Sequence, residues 1–162
     1  MRWITREHPK IDRVACPWLV ARFIDREAEF VFVPSSRVHE LAAALDAIPF
    51  DVEGVELTHD GPLCTFDAFL SRYEIRDAAL DTIATIVRGA DTARLDLAPQ
   101  CAGLLAVSLG LSRLFRDDHE LIAHAFVVYD ALYAWCREAA DETHSWNPQR
   151  TAAAPAPARP SP

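Results

Sequence analysis

The side chains best suited to chemistry fall into two short blocks. The first, Thr5 to Leu19, holds Lys10, Asp12, Arg13 and Cys16; the second, Thr58 to Asp67, holds His59, Cys64 and Asp67 around a Gly61-Pro62 turn. The first block lies where a strand gives way to a helix. Helix N-termini offer unpaired N–H groups and a partial positive charge, so they attract oxyanions. Lys10 and Arg13 add to that charge, and Arg13 can grip an oxyanion or a carboxylate with two parallel hydrogen bonds. Asp12 and Cys16 stand one turn apart on the same side. The competing reading is an Arg–Asp structural pair beside a buried thiol. In the second block imidazole, thiol and carboxylate lie within nine residues, which makes a partial transition-metal site. Its spacing matches no established metal motif, and His59 capping a turn, Cys64 in the core and Asp67 near a helix start is the alternative.

Further along, Glu120 and His124 are one helical turn apart and read as a solvated pair. His119 and Asp130 share another face of the same helix, near the core edge, as buried hydrogen-bonding groups or as part of a site. Asp91 follows Arg88-Gly89-Ala90, where a helix stop places a carboxylate. The metal ligands to test are therefore His59, Asp91, His119 and Asp130. The residues for a small ligand are Lys10, Asp12, Arg13, Cys16, Cys64 and Asp67. Asp12, Arg13, His59 and Asp67 should converge, joined by Asp91, Asp130 and Cys16, because two strands end at these blocks and sites form at the carboxyl ends of strands. No nucleophile elbow, phosphate-binding glycine loop, dinucleotide fingerprint or paired-His zinc motif is present.

The elements that must position these groups read as follows. Trp3 to Thr5 is a short strand, and Ile11 to Ile24 carries a helical apolar stripe interrupted by Pro17. Glu29 to Val33 is a strand stopped by Pro34. Ser36 caps a helix through Leu45, and Val55 to Thr58 forms a third strand. Thr65 caps a helix over Phe66 to Tyr73. Asp77 to Arg88 is helical with Gly89 as its stop, and Ala98 to Leu114 is apolar enough for a central buried helix. Asp117 and Glu120 form a capping box that opens a helix to about Arg137. The fold class is α+β: a small N-terminal sheet with helices and a mostly helical C-terminal half. One domain over residues 1–138 is followed by a Pro/Ala-rich tail over 139–162 expected to be disordered.

Composition narrows the partners. With 51% apolar residues the chain can build a core. A net charge of −8 disfavours nucleic acid and anionic membranes. Residues 1–24 nonetheless carry a local excess of three positive charges, whereas Val38 to Ser71 hold seven acids and neither Lys nor Arg. A basic end on an acidic body suits a small oxyanion. Four cysteines without a Cys-x-x-Cys pair read as reduced thiols in a cytoplasmic protein. Neither a signal-peptide run nor a membrane span is visible.

Trp3-x-Thr5-Arg6, Ile11-Asp12-Arg13-x-Ala15-Cys16-x-Trp18-Leu19, Arg22-Phe23-Ile24-Asp25 and Ala28-x-Phe30-x-Phe32-Val33 resemble the ChrB family of chromate-resistance proteins. Thr58-His59-x-Gly61-x-x-Cys64-Thr65-Phe66, Ile86-Val87-x-x-x-Asp91 and Tyr129-Asp130-Ala131-Leu132-Tyr133-Ala134 continue the resemblance. It implies an accessory or sensor protein of chromate resistance that binds chromate, with a rhodanese-type sulfurtransferase as a partner. A metal-dependent enzyme, or a non-catalytic partner of such a sulfurtransferase, are the other readings. Longer members resemble this chain over their C-terminal part only, so a DNA-binding regulator is not expected. Relatives carry His where this chain has Arg88, a change that weakens a metal at that position and favours an anion.

Overall fold

The computed structural model describes residues 1–143; the expected disordered tail lies, from residue 144 onward, outside the described residues. Three strands make one parallel sheet in the order β2-β1-β3, with β1 at Arg2–Arg6, β2 at Glu29–Val33 and β3 at Ala47–Pro49. Parallel neighbours need crossovers, and helices supply them. Helix α1 (Asp12–Leu19), continued by a π-helical turn at Val20–Ile24, links β1 to β2. Helix α2 (Val38–Leu45), entered through a 3-10 turn at Ser35–Arg37, links β2 to β3. Alternation along β1 gives each face its own layer. Trp3 packs into the main core with Val14, Trp18 and Phe69, while Ile4 packs with Val38 and Ala42 of α2. The remaining helices are α3 (Thr65–Arg72), α4 (Ala78–Asp91), α5 (Cys101–Leu114) and α6 (Asp118–Glu138). The class is α+β, as the patterning indicates.

Several local expectations need correction. The third strand is Ala47–Pro49, not Val55 to Thr58. The latter segment is a looped return whose Leu57 carbonyl accepts from Asp51 N–H. Gly54, at φ 82°, turns the chain back where a strand would have to begin. Ser36 does not cap α2, since the preceding 3-10 turn already supplies the helix entry. Cys64, not Thr65, is the N-cap residue of α3, with Asp67 accepting the Cys64 N–H at 3.0 Å.

Gly89 does not stop α4. The helix runs on to Asp91, and the glycine is there because a Cβ would sit 2.4 Å from Cys101 Sγ and 2.8 Å from the Arg94 carbonyl oxygen. Nor is α5 central. It packs chiefly on α4 and also on α6, burying Cys101, Leu104 and Ser108, a stripe one residue wide per turn, and leaves Val107, Leu109 and Leu114 exposed. An apolar composition therefore did not translate into burial on all sides. The Asp117 cap of α6 is present, accepting the Glu120 N–H at 2.8 Å.

Candidate metal centre

The carboxyl ends of β1 and β3, the start of α1, the start of α3 and the end of α4 meet at one place. β1 lies between β2 and β3, and its two flanking crossovers run on opposite faces, the arrangement that opens a crevice at strand ends. Asp12 is the first residue of α1, held there by Tyr129 of α6, whose hydroxyl donates to the Ile11 carbonyl at 3.2 Å. Asp12 points at the N-terminus of α3. Its Oδ2 accepts the Thr65 N–H at 2.6 Å, and its Oδ1 accepts the Phe66 N–H at 3.0 Å and the Cys16 thiol at 3.5 Å. The anion-attracting helix end is thus occupied by the protein's own carboxylate, which is 1% exposed.

Asp51 follows β3 with φ 50°, a left-handed conformation that Asp tolerates. Its Oδ1 accepts from Thr65 Oγ1 at 2.9 Å, and its Oδ2 pairs with Arg6 at 2.8 Å and Arg13 at 3.2 Å. Asp91 closes the cluster from the last residue of α4. In the middle stands His59, carried by the loop between β3 and α3. Its Nε2 lies 3.4 Å from Asp12 Oδ2, 3.5 Å from Asp51 Oδ1 and 3.3 Å from Asp91 Oδ2. The imidazole is raised to about 8, first by its pairing with Asp12 and further by the charges of Asp51 and Asp91. Burial, reinforced by the neighbouring Asp12 and Asp51, lifts Asp91 to about 6.

Ligand atoms of Asp12, His59 and Asp91 all lie within 4.8 Å of one another. Two ligands at about 2.1 Å from a tetrahedral ion are roughly 3.4 Å apart, which is the spacing His59 keeps from its carboxylates. Nitrogen and oxygen donors of this kind suit zinc, manganese or ferrous iron. Asp51 is already committed to two guanidiniums and Thr65, so it orients the cluster more than it adds a ligand. An open cleft of about 750 Å³ reaches His59 and Asp51 past Arg6, Ser35 and His39.

The other sequence candidates divide clearly. Arg13 joins the cluster, but its donors go to Asp51 and to the Arg6 and Glu7 carbonyls at 3.3 and 3.1 Å. Lys10 is exposed and stands outside the cluster. Cys16 and Cys64 are fully buried beside Asp12. Burial, with the Asp12 charge, pushes both thiols well up, which removes them as thiolate ligands or as ready reductants. Asp67 caps α3 and faces Arg88 at 3.4 Å.

The structure does not bring His119 or Asp130 to His59. Asp130 takes two hydrogen bonds from Arg22 and one from Trp18 at 2.8 to 2.9 Å, joining α6 to α1. His119 meets the ring of Phe32, and His124 stacks on Phe115. Asp51 and Arg6 are the members the sequence reading missed. Placing the third strand eight residues late hid Asp51, which otherwise sits where strand-end ligands are sought.

The family described as ChrB, C-terminal domain, matches residues 3–136. Protein ChrB of Cupriavidus metallidurans is 32% identical over 133 residues, which cover 82% of this chain and 40% of that protein. The chain therefore spans less than half the length of this relative. No solved structure matches the chain. With the whole His59 cluster and all but the outermost residues of β1 and α6 inside the matched span, the chain belongs to the family of the ChrB C-terminal domain.

Proposed function

We propose that this domain serves chromate resistance as a cytoplasmic protein by holding a divalent transition metal on Asp12, His59 and Asp91. Family membership supports the biological role, and the three-sided approach of carboxylates to His59 Nε2 carries the chemistry. Charge accounting supports it further. Asp12, Asp51 and Asp91 face Arg6 and Arg13, leaving one negative charge that a proton on His59 balances in the metal-free state. A divalent ion in its place makes the site net positive, and a dianion such as chromate is then attracted through the open cleft. Metal thus turns an acidic cluster into an oxyanion receptor, which reconciles the acidic body of the chain with an anionic ligand. Buried free thiols suit a reducing compartment.

Elemental analysis of protein purified without chelator tests the reading. Close to one equivalent of manganese, iron or zinc is expected, falling to background in His59→Ala and Asp91→Asn. Metal content unchanged in both variants overturns the site.

A further inference from the structure

We propose that a second cavity, on the far side of the loop bearing His59, is a site for a small tetrahedral oxyanion held by Arg88 and Arg94. The cavity has a volume of about 350 Å³ and lies between the Gly61–Leu63 turn and the C-terminal end of α4, with Leu97 as its apolar wall. Two guanidiniums and no carboxylate line it, in a chain of net charge −8. The cleft that reaches the metal centre has different walls and includes Asp51 and Glu53.

Hydrogen-bond capacity is what singles the cavity out. In the N-terminal block, Arg13 is engaged by Asp51 and two carbonyls and Arg22 by Asp130, while Arg6, whose buried Nε lacks a partner among the described residues, stands in the metal-centre cleft paired with Asp51 and beside Glu53. Arg88 is different. Its side chain is only 22% exposed, yet its contacts are two long ones, Nη1 to Asp67 at 3.4 Å and Nη2 to Thr85 Oγ1 at 3.4 Å. Both lie beyond the usual range for a hydrogen bond to a charged group. A largely buried cation so loosely paired is incompletely compensated, and an oxyanion in the adjoining cavity supplies the missing acceptors. Arg94 closes the opposite side. It is paired with Asp96 through Nε and Nη2, at 2.9 and 2.8 Å, in an exposed ion pair that solvent weakens, and this leaves Nη1 for a ligand. At about 30 Å³ per water, the cavity has room for one anion with part of its hydration shell.

This site stands independently of the metal reading, and the test keeps the two apart. Sulfate and chromate are titrated calorimetrically into the chelator-treated whole chain at low ionic strength, so that an anion drawn to bound metal does not add a second site. One competitive site is expected, with affinity falling roughly tenfold or more in Arg88→Gln and in Arg94→Gln, since each removes a charged hydrogen-bond partner. Arg113→Gln on exposed α5 should leave it unchanged, and thermal unfolding of each variant reports the fold. His59→Ala should also bind sulfate as the parent does. Sulfate affinity that survives in Arg94→Gln, whose exposed side chain is not needed for folding, overturns the proposal. So does loss of binding in His59→Ala, which would place the anion at the metal centre, or no binding at about 10 mM of either anion.

Discussion

Both oxygens of Asp12 are engaged by the first turn of α3, and the Cys16 thiol adds a third donor, all out of reach of solvent. Removing such an acceptor leaves two backbone N–H groups and a thiol buried without partners. Asp12→Ala should therefore destabilise the domain by about 3 to 5 kcal/mol, read from urea unfolding, in addition to abolishing metal uptake. A structural cost below about 1 kcal/mol would mean that water reaches the α3 terminus. His59 gives a pH signature in chelator-treated protein. Its folded value of about 8 exceeds its ordinary 6.5, so its contribution is fully present below 6.5 and is lost as pH rises through 8. Asp91, raised to about 6 from 3.8, changes in the same direction at lower pH. Thermal midpoints should fall between pH 6.5 and 8, and the fall should flatten in His59→Ala. Metal reverses the trend, because binding displaces the proton and strengthens as pH rises. A slope unchanged by the substitution would assign the titration elsewhere.

At the scale of elements, the contact of α4 with α5 depends on a missing side chain. Gly89 lets Cys101 Sγ and the Arg94 carbonyl approach where a Cβ would overlap them. Ala is the better helix former, yet Gly89→Ala should destabilise by about 2 to 3 kcal/mol, because overpacking outweighs propensity. Cys101→Ala removes the nearer obstacle but not the carbonyl, so the double variant should recover only part of the loss. Full additivity in a double-mutant cycle would contradict the contact. The same helix end presents Asp91 to His59 and Arg88 to the oxyanion cavity, so a shift of α4 reaches both sites.

For the molecule as a whole, the described fold closes without the Pro/Ala-rich residues. Helix α6 ends at Glu138, after its Tyr129 and Asp130 have fastened α1. Truncation after Thr143 should leave unfolding cooperative, with a thermal midpoint within about 2 °C of the full chain. A broadened or non-cooperative transition would show that the domain extends further. Among the described residues, Val107, Leu109 and Leu114 are exposed on α5.

The class of the fold and most element positions are legible in the sequence because they rest on local terms: periodicity, the Asp117 cap, Pro34 after β2. The two chemically rich blocks are legible too, and Asp12, Arg13 and His59 do converge. What tertiary structure alone decided is how each charge is spent. A sequence places Arg13 beside Asp12, but the distant Asp51 claims its guanidinium, and the α3 N-terminus claims Asp12. His119 and Asp130 carry ligand chemistry, yet α6 turns Asp130 onto Arg22 and Trp18 and leaves His119 against Phe32. Gly89 reads locally as a stop and is in truth a point of close approach, because its neighbour Cys101 belongs to another helix. Pairings between residues far apart in the chain, and the burial they create, depend on three-dimensional packing that no local pattern encodes.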